Sequence, residues 1–298
     1  MTVTLSRTTV SIGLLLIVTI TCGAFPELPA FQDPPTDVRY PGKMIWADLF
    51  TEDIETSTEF YTALFGWKAE KIGSDKDSYT VFWLNGRPIA GMIFRPAFKS
   101  ATSKGTWLPY FSVEDLSETL SVVTANGGRV DVPIHDFPQR GEQAIVRDNQ
   151  QALVGLMQTT HGDPDDYLAE YGECIWAQLW VKDPAASIAF YGATLGFIEV
   201  EGDPEDSNVY THVFATGGIY RASLDDLPES MPNARPGWLI FVRVNNIADT
   251  LARVRALGGK VFLEPKPEMM DGELAIIEDP SGAGICLLEY EPPAEDQP

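Results

Sequence analysis

Few residues in this chain could carry chemistry on their own. The histidines are His135, His161 and His212, and no two of them stand at metal-ligand spacing. The cysteines are Cys22, Cys174 and Cys286, with no CxxC pair, nucleophile elbow or phosphate loop. A Cys174–Cys286 bridge is conceivable, but two cysteines are too few for a disulfide framework. A lone histidine in a strand, such as His212 in Tyr210-Thr211-His212-Val213-Phe214, is more often a surface or core residue than a ligand. His161 falls in a linker and His135 near a loop between Pro133 and Pro138. The sharpest candidate is Asp48, flanked at two-residue spacing by Trp46 and Phe50. A carboxylate beside aromatics must be paired or wet, or its proton affinity rises, which is how catalytic bases are tuned. The bland reading is a paired, structural aspartate.

These residues sit in a chain that repeats itself. Ile45-Trp46-Ala47-Asp48-Leu49 recurs 130 residues later as Ile175-Trp176-Ala177-Gln178-Leu179. At the same spacing Phe60-Tyr61 recurs as Phe190-Tyr191, and Phe65-Gly66-Trp67 as Leu195-Gly196-Phe197. Trp107-Leu108 recurs as Trp238-Leu239, and Asn126-Gly127-Gly128 as Leu257-Gly258-Gly259. The segments starting at Gly141-Glu142 and Gly272-Glu273 also match, each ending in an aspartate, Asp148 and Asp279. One order and nearly one offset imply duplication. The expected domains are residues 41–160 and 172–291. An acidic linker with one helical turn is expected over 161–171, a Pro-rich extended arm over 25–40, and a disordered acidic tail over 292–298.

Within each half the pattern reads strand, helix, strands, twice. Met44–Phe50 is rich in strand formers, Asp53 can cap the following helix, and Gly66 can end it. Asn85-Gly86 marks a hairpin between Tyr79–Leu84 and Pro88–Phe94. Leu116–Ala125 and Ile247–Leu257 read as helices. Alternation puts Ile45, Ala47 and Leu49 on one face of the first strand and Trp46, Asp48 and Phe50 on the other. The matching face in the second half carries Cys174, Trp176, Gln178 and Trp180; Tyr110 and Phe241 lie beside Leu108 and Leu239.

The chain has 298 residues and a formal net charge of −22, which argues against nucleic acid and anionic membranes as partners. Arg7 is the only charge before Glu27, and the apolar run Ile12–Ile20 is of signal-peptide length, followed by small residues up to Ala24. Residues 1–24 are therefore expected to be a leader and the protein exported, periplasmic or extracellular. A lipid on Cys22 would anchor it to a membrane, although Thr21 is a poor neighbour for that motif; a misassigned start would leave it cytoplasmic.

The spacing of Asp53, Phe60-Tyr61 and Phe65-Gly66-Trp67, repeated from Asp183, resembles the entry of a vicinal-oxygen-chelate domain. Asp279-Pro280-Ser281-Gly282 before Gly284–Glu289 resembles that family's closing motif. The superfamily includes glyoxalase I, extradiol dioxygenases and bleomycin-resistance proteins. The resemblance covers roughly Pro41–Glu291. It implies an α+β fold in which each domain is a pair of βαβββ modules curled into an open, eight-stranded, barrel-like cleft, with an internal pseudo-dimer of domains. It also implies four metal-ligand places per cleft. Carried over, the first-strand places fall on Trp46, Leu108, Trp176 and Leu239, and the last-strand places near Gly91 and Ala222 and on Gly155 and Cys286. Only Cys286 has a donor, and one thiolate is not a divalent site, so no metal and no other cofactor is expected.

An aromatic cleft with a few polar groups suits a small flat or apolar molecule, held by Trp46, Asp48, Tyr110, Trp176, Gln178, Trp180, Phe241 and Cys286. Competing expectations are an enzyme with displaced ligands or an Asp48 base, and a scaffold whose aromatics are simply core.

Overall fold

A computed structural model of the chain describes residues 27–74, 78–95, 105–200, 212–228, 234–267 and 269–291. The expected leader over 1–24 with Cys22, and the tail over 292–298, lie outside the described residues.

The first half runs β1 (Met44–Thr51), α1 (Ile54–Phe65), β2 (Lys68–Ile72), β3 (Tyr79–Leu84), β4 (Arg87–Phe94), β5 (Gly105–Ser112), α2 (Leu116–Ala125), β6 (Arg129–Phe137), β7 (Gly141–Arg147) and β8 (Leu153–Thr159). The second runs β9 (Cys174–Val181), α3 (Pro184–Leu195), β10 (Ile198–Val200), β11 (His212–Thr216), β12 (Ile219–Asp226), β13 (Gly237–Val244), α4 (Ile247–Ala256), β14 (Lys260–Leu263), β15 (Leu274–Glu278) and β16 (Gly284–Glu289). The strand orders are β2-β3-β4-β1-β5-β8-β7-β6 and β10-β11-β12-β9-β13-β16-β15-β14. The architecture is α+β: two tandem eight-stranded sheets with four helices, neither closing into a barrel. Both modules of a sheet come from the same half, because β1 pairs antiparallel with β5 and β9 with β13.

Local chemistry accounts for the element ends. Asp53 and Asp183 accept from the backbone N–H of Thr56 and Ala186, capping α1 and α3, and Gly66 and Gly196 stop those helices at φ 74° and 69°. Asn85 and Gly86, both at positive φ, turn the β3–β4 hairpin.

The helices lie between the two sheets, each packing on its own sheet and, across the seam, on a helix of the other half. Phe60, Tyr61 and Leu64 of α1 share a core with Ile247, Leu251 and Val254 of α4. Phe190, Tyr191 and Leu195 of α3 share another with Leu116 and Val123 of α2. Burying these faces together supplies the main drive for association, roughly 25 cal/mol per Å² of apolar surface. The repeated glycine pairs serve this seam. Gly127 and Gly258 end helices at φ 84° and 82°, while a Cβ at Gly128 would lie 3.0 Å from the Phe190 ring, and one at Gly259 2.8 Å from Phe60. The other face of each sheet carries a separate aromatic and aliphatic cluster, the first around Trp46, Tyr79 and Tyr110, the second around Phe241 and Cys286.

Several expectations are corrected. Ile45 packs in the cleft cluster, not against the helices, because the β1–β5 register shifts between Met44 and Trp46 and breaks the alternation. The same shift in the second half, between Phe241 and Val242 on β13, goes with Cys174 packing on the helix side, not in the cleft. Cys174 and Cys286 are both free and belong to clusters on opposite faces of their sheet, so they form no bridge. His135 lies two residues before the end of β6, 4.8 Å centroid to centroid from Phe137, close to the β6–β7 turn as expected. Residues 161–171 contain no helical turn. Their anchor is the buried Asp163, whose carboxylate accepts from Tyr40 N–H at 2.6 Å and Thr159 Oγ1 at 2.9 Å.

Candidate functional site

The first cleft is built on β1. Asp48 stands opposite Gly91 of β4 and Leu108 of β5, and Trp46 opposite Tyr110. Pleating therefore aims the Trp46, Asp48 and Tyr110 side chains into one space, as alternation expected. There the Asp48 carboxylate, 1% exposed, accepts from Trp46 Nε1 at 2.9 Å and from the Tyr79 hydroxyl at 2.5 Å. Burial raises its proton affinity above the usual carboxylate range, against the opposing pull of Tyr79, Arg140, Trp46 and Tyr110. The same burial pushes the Tyr79 and Tyr110 hydroxyls well up, so both are donors rather than phenolates.

Arg140, in the turn between β6 and β7, closes the cluster. It is 1% exposed, and its guanidinium carbon lies 4.2 Å from the Trp46 ring centroid and 5.7 Å from that of Tyr79. Its Nη1 donates to the Tyr79 hydroxyl at 3.2 Å. The arm covers the mouth. Leu28 is buried, and Phe31 packs on Trp46 with ring centroids 5.2 Å apart. The expected sites thus fall into a polar cluster (Trp46, Asp48, Tyr110) that also holds Tyr79 and Arg140, two residues that sequence reasoning missed. Alternation within β3 would have pointed Tyr79 along with Val81; nothing local marks Arg140.

The second cleft has the same frame and a different filling. Gln178 stands opposite Ser223 of β12 and Leu239 of β13; Trp176 stands opposite Phe241, and Phe241 opposite Cys286. The residue matching Gly91 is therefore Ser223, one place beyond Ala222, which faces the helices. Trp176 Nε1 donates to Ser223 Oγ at 2.8 Å, and Gln178 Nε2 donates to Asp225 Oδ2. Phe241 and Cys286 form the floor, and burial pushes the Cys286 thiol up, away from the thiolate. Trp176, Trp180 and Leu239 are partly exposed, with Leu263, Met269, Met270 and Tyr290 around them. His212 is not part of either cleft; its Nδ1 lies 2.5 Å from Glu199 Oε1 near the surface.

A divalent metal does not fit the first cleft. In the first cleft, Trp46 and Leu108 offer no lone pair for it. A Cβ at Gly91 would overlap the Tyr79 hydroxyl and the Asp48 carboxylate, and one at Gly155 would overlap the Tyr110 ring. Those rings and the carboxylate fill the space a chelating side chain would need. Among the described residues, no three His, Cys, Asp or Glu side chains cluster to hold an ion.

The fold is shared with a 2,3-dioxygenase and a Mn(II)-bound glyoxalase all the same. The 2,3-dioxygenase LapB from Pseudomonas sp. KL28 superposes with a TM-score of 0.58 at 13% identity, covering 88% of this chain and 97% of that one. The Mn(II)-bound glyoxalase from Novosphingobium aromaticivorans gives 0.56 at 12%, covering 84% and 82%. At such identity the likeness speaks for the fold alone. Among sequence relatives, "Putative glyoxylase CFP32" of Mycobacterium tuberculosis (strain CDC 1551 / Oshkosh) is 28% identical over 83% of this chain and 94% of its own length. "Anthracycline biosynthesis protein DnrV" of Streptomyces peucetius is 27% identical over 84% and 94%. The model of one family matches twice, over residues 43–156 and 174–287, so the chain belongs to the glyoxalase/bleomycin resistance protein/dioxygenase superfamily.

Proposed function

We propose that this is an exported, metal-free binding protein whose second cleft takes a small, flat, apolar or aromatic molecule. One observation carries the reading. Trp176 and Leu239 are partly exposed where their counterparts Trp46 and Leu108 are buried. Apolar faces left partly open around a few fixed polar groups, here Ser223, Gln178 and Asp225, are the usual make-up of a small-molecule site. Indole faces bind flat rings by stacking and dispersion, and Gln178 and Ser223 supply orientation. Relatives named for the biosynthesis of anthracyclines, which are fused-ring aromatics, agree with that ligand class. Export rests on the apolar run Ile12–Ile20.

The test is a titration with 2-naphthol, followed by tryptophan fluorescence and thermal shift. Saturable quenching is expected in the wild type, with a loss of at least tenfold in affinity in Trp176→Ala and in the cleft-filling Leu239→Trp. Absence of saturation, or equal affinity in folded forms of both variants, overturns the proposal. Export is read by N-terminal sequencing of the secreted chain; a protein retained inside with its first residues intact removes that part.

A second reading, acid–base catalysis by Asp48, is favoured by one feature, the raised proton affinity of that buried carboxyl beside a tyrosine donor. Any turnover found for this protein that survives intact in Asp48→Asn would discard it.

A further inference from the structure

The first cleft holds a cation with an unused donor. Arg140 is almost wholly buried, yet its Nη2 has no hydrogen-bond partner, and Trp83 Nε1, packed against the same cluster, has none either. Buried donors are ordinarily satisfied, so a site with surplus N–H groups is one that an acceptor oxygen would complete. Three aromatic rings face the guanidinium: Trp46, Tyr79 and, from the arm, Phe31 at 4.8 Å. Among the described residues, the oxygen the arm supplies to Arg140 is the Pro29 carbonyl, which accepts from Nε at 3.3 Å. The arm thus presents an aryl ring and a carbonyl oxygen, two residues apart, to a cationic and aromatic pocket in the middle of a sheet.

We propose that the first cleft is a binding site for a small aryl compound carrying a carbonyl or carboxylate oxygen, and that the arm segment Leu28–Phe31 keeps it closed by standing in for that compound. In the occupied state the ligand ring takes the place of Phe31 between Arg140 and Trp46. Its oxygen takes the donors of Arg140, Nη2 included. Phe31 and Trp46 also border a groove of about 270 Å³ shared with Lys43, Arg87 and Tyr167, on the side away from Arg140. The partners of Arg140, the Pro29 carbonyl and the Tyr79 hydroxyl, are both neutral and Nη2 has none, which favours an anionic oxygen over a neutral one. The rest of the arm is tied down independently of the plug. Gln32 Nε2 donates to the Asp163 carbonyl at 2.9 Å and Arg39 Nη2 to the Thr159 carbonyl at 2.9 Å, so Leu28–Phe31 can leave while residues 32–40 stay. An internal competitor lowers apparent affinity by the fraction of time the site is free. The second cleft shares none of these residues.

The experiment uses the full chain and 3-phenylpropionate as the probe, titrated by calorimetry. The double substitution Leu28→Ser/Phe31→Ala is expected to bind it at least tenfold more tightly than the wild type. Adding Arg140→Met to that variant is expected to abolish the gain. Equal affinity of wild type and arm variant, or a gain that survives Arg140→Met, overturns the proposal. If the arm variant does not fold, 4-fluorophenylalanine placed at position 31 of the otherwise native chain replaces it. A saturable ¹⁹F shift on adding 3-phenylpropionate supports displacement of the ring, and an unmoved signal at saturating probe overturns it.

Discussion

The hydroxyl of Tyr191 on α3 donates to Asp148 Oδ2 at 3.0 Å, joining the second half of the chain to the turn before β8 in the first. Trp238 Nε1 donates to the same hydroxyl at 3.0 Å, and Asp148 also accepts from the backbone N–H of Gln150 and Ala152 at 2.8 Å each. The counterpart runs the other way: Trp107 Nε1 donates to the Tyr61 hydroxyl at 2.8 Å, beside Asp279, which accepts from Ala283 N–H at 2.9 Å and Ser281 Oγ at 2.6 Å. The repeated Phe-Tyr and Asp motifs are therefore devices of the seam between the halves. Removing one buried partner costs about 1–3 kcal/mol, because it leaves the other unsatisfied. Tyr191→Phe and Tyr61→Phe are each expected to lower unfolding free energy by about that amount in urea titrations, with the clefts unaffected. A change below measurement error in both would show that these hydroxyls do not hold the halves together.

The glycine pairs give a second check on the seam. Gly259→Ala places a methyl 2.8 Å from the Phe60 ring and 2.9 Å from the Glu278 carbonyl oxygen, contacts that backbone cannot easily relieve. Overpacking of this kind typically costs about 1–3 kcal/mol. The neighbouring Gly258→Ala meets open space but sits at φ +82°, so it should cost only about 1 kcal/mol, from the left-handed backbone. Thermal melts of the two variants should rank Gly259→Ala below Gly258→Ala; the opposite order would mean that the α1–α4 approach is looser than described.

Asp48 gives a pH signature. Its folded proton affinity is raised by burial from an ordinary value of 3.8, so the folded state holds this proton more tightly than the unfolded one. The resulting stabilisation is complete below the unfolded value and is lost as pH rises through the folded one, at no more than about 1.4 kcal/mol per pH unit. Asp48→Asn keeps the acceptor oxygen for Trp46 and Tyr79 and removes the titration. Measured by denaturation across pH 3 to about 7, wild type is expected to lose ground to the variant as pH rises. Parallel curves, or a wild type that gains on the variant as pH rises, would contradict the buried carboxyl of raised proton affinity.

Asp166 has the opposite sign. Burial works against its ionisation, but hydrogen bonds and charge from Arg221 and Lys43 outweigh it and hold the folded carboxyl below its usual range. Arg221 Nη1 and Nη2 reach its two oxygens at 2.6 and 2.9 Å, and Lys43 Nζ lies 3.2 Å away, so the linker is bolted to both halves. This contribution is present above the unfolded value and lost as pH falls through the folded one. Asp166→Asn is expected to destabilise at neutral pH and to become neutral in acid, read by the same denaturation series; a cost that persists at the acid end would assign the effect to packing.

Much of this protein is fixed by its sequence. Duplication, helix caps at Asp53 and Asp183, the Asn85-Gly86 turn and the alternation that points Trp46, Asp48 and Tyr110 one way are all local or periodic properties, and the pleat and the helical turn convert them directly into geometry. The Trp176, Gln178, Trp180 set follows from the same period. What the tertiary structure alone decided is what fills each cleft. Arg140 meets Pro29 across 111 residues of chain and Tyr79 across 61, and no spacing rule connects a turn residue to an N-terminal arm. The side on which Ile45 and Cys174 pack turned on register shifts between strands distant in sequence, which a period-two reading of one strand cannot see. Trp46 is covered by an arm that, among the described residues, has no counterpart over Trp176, a contact set by chain closure and not by any local preference.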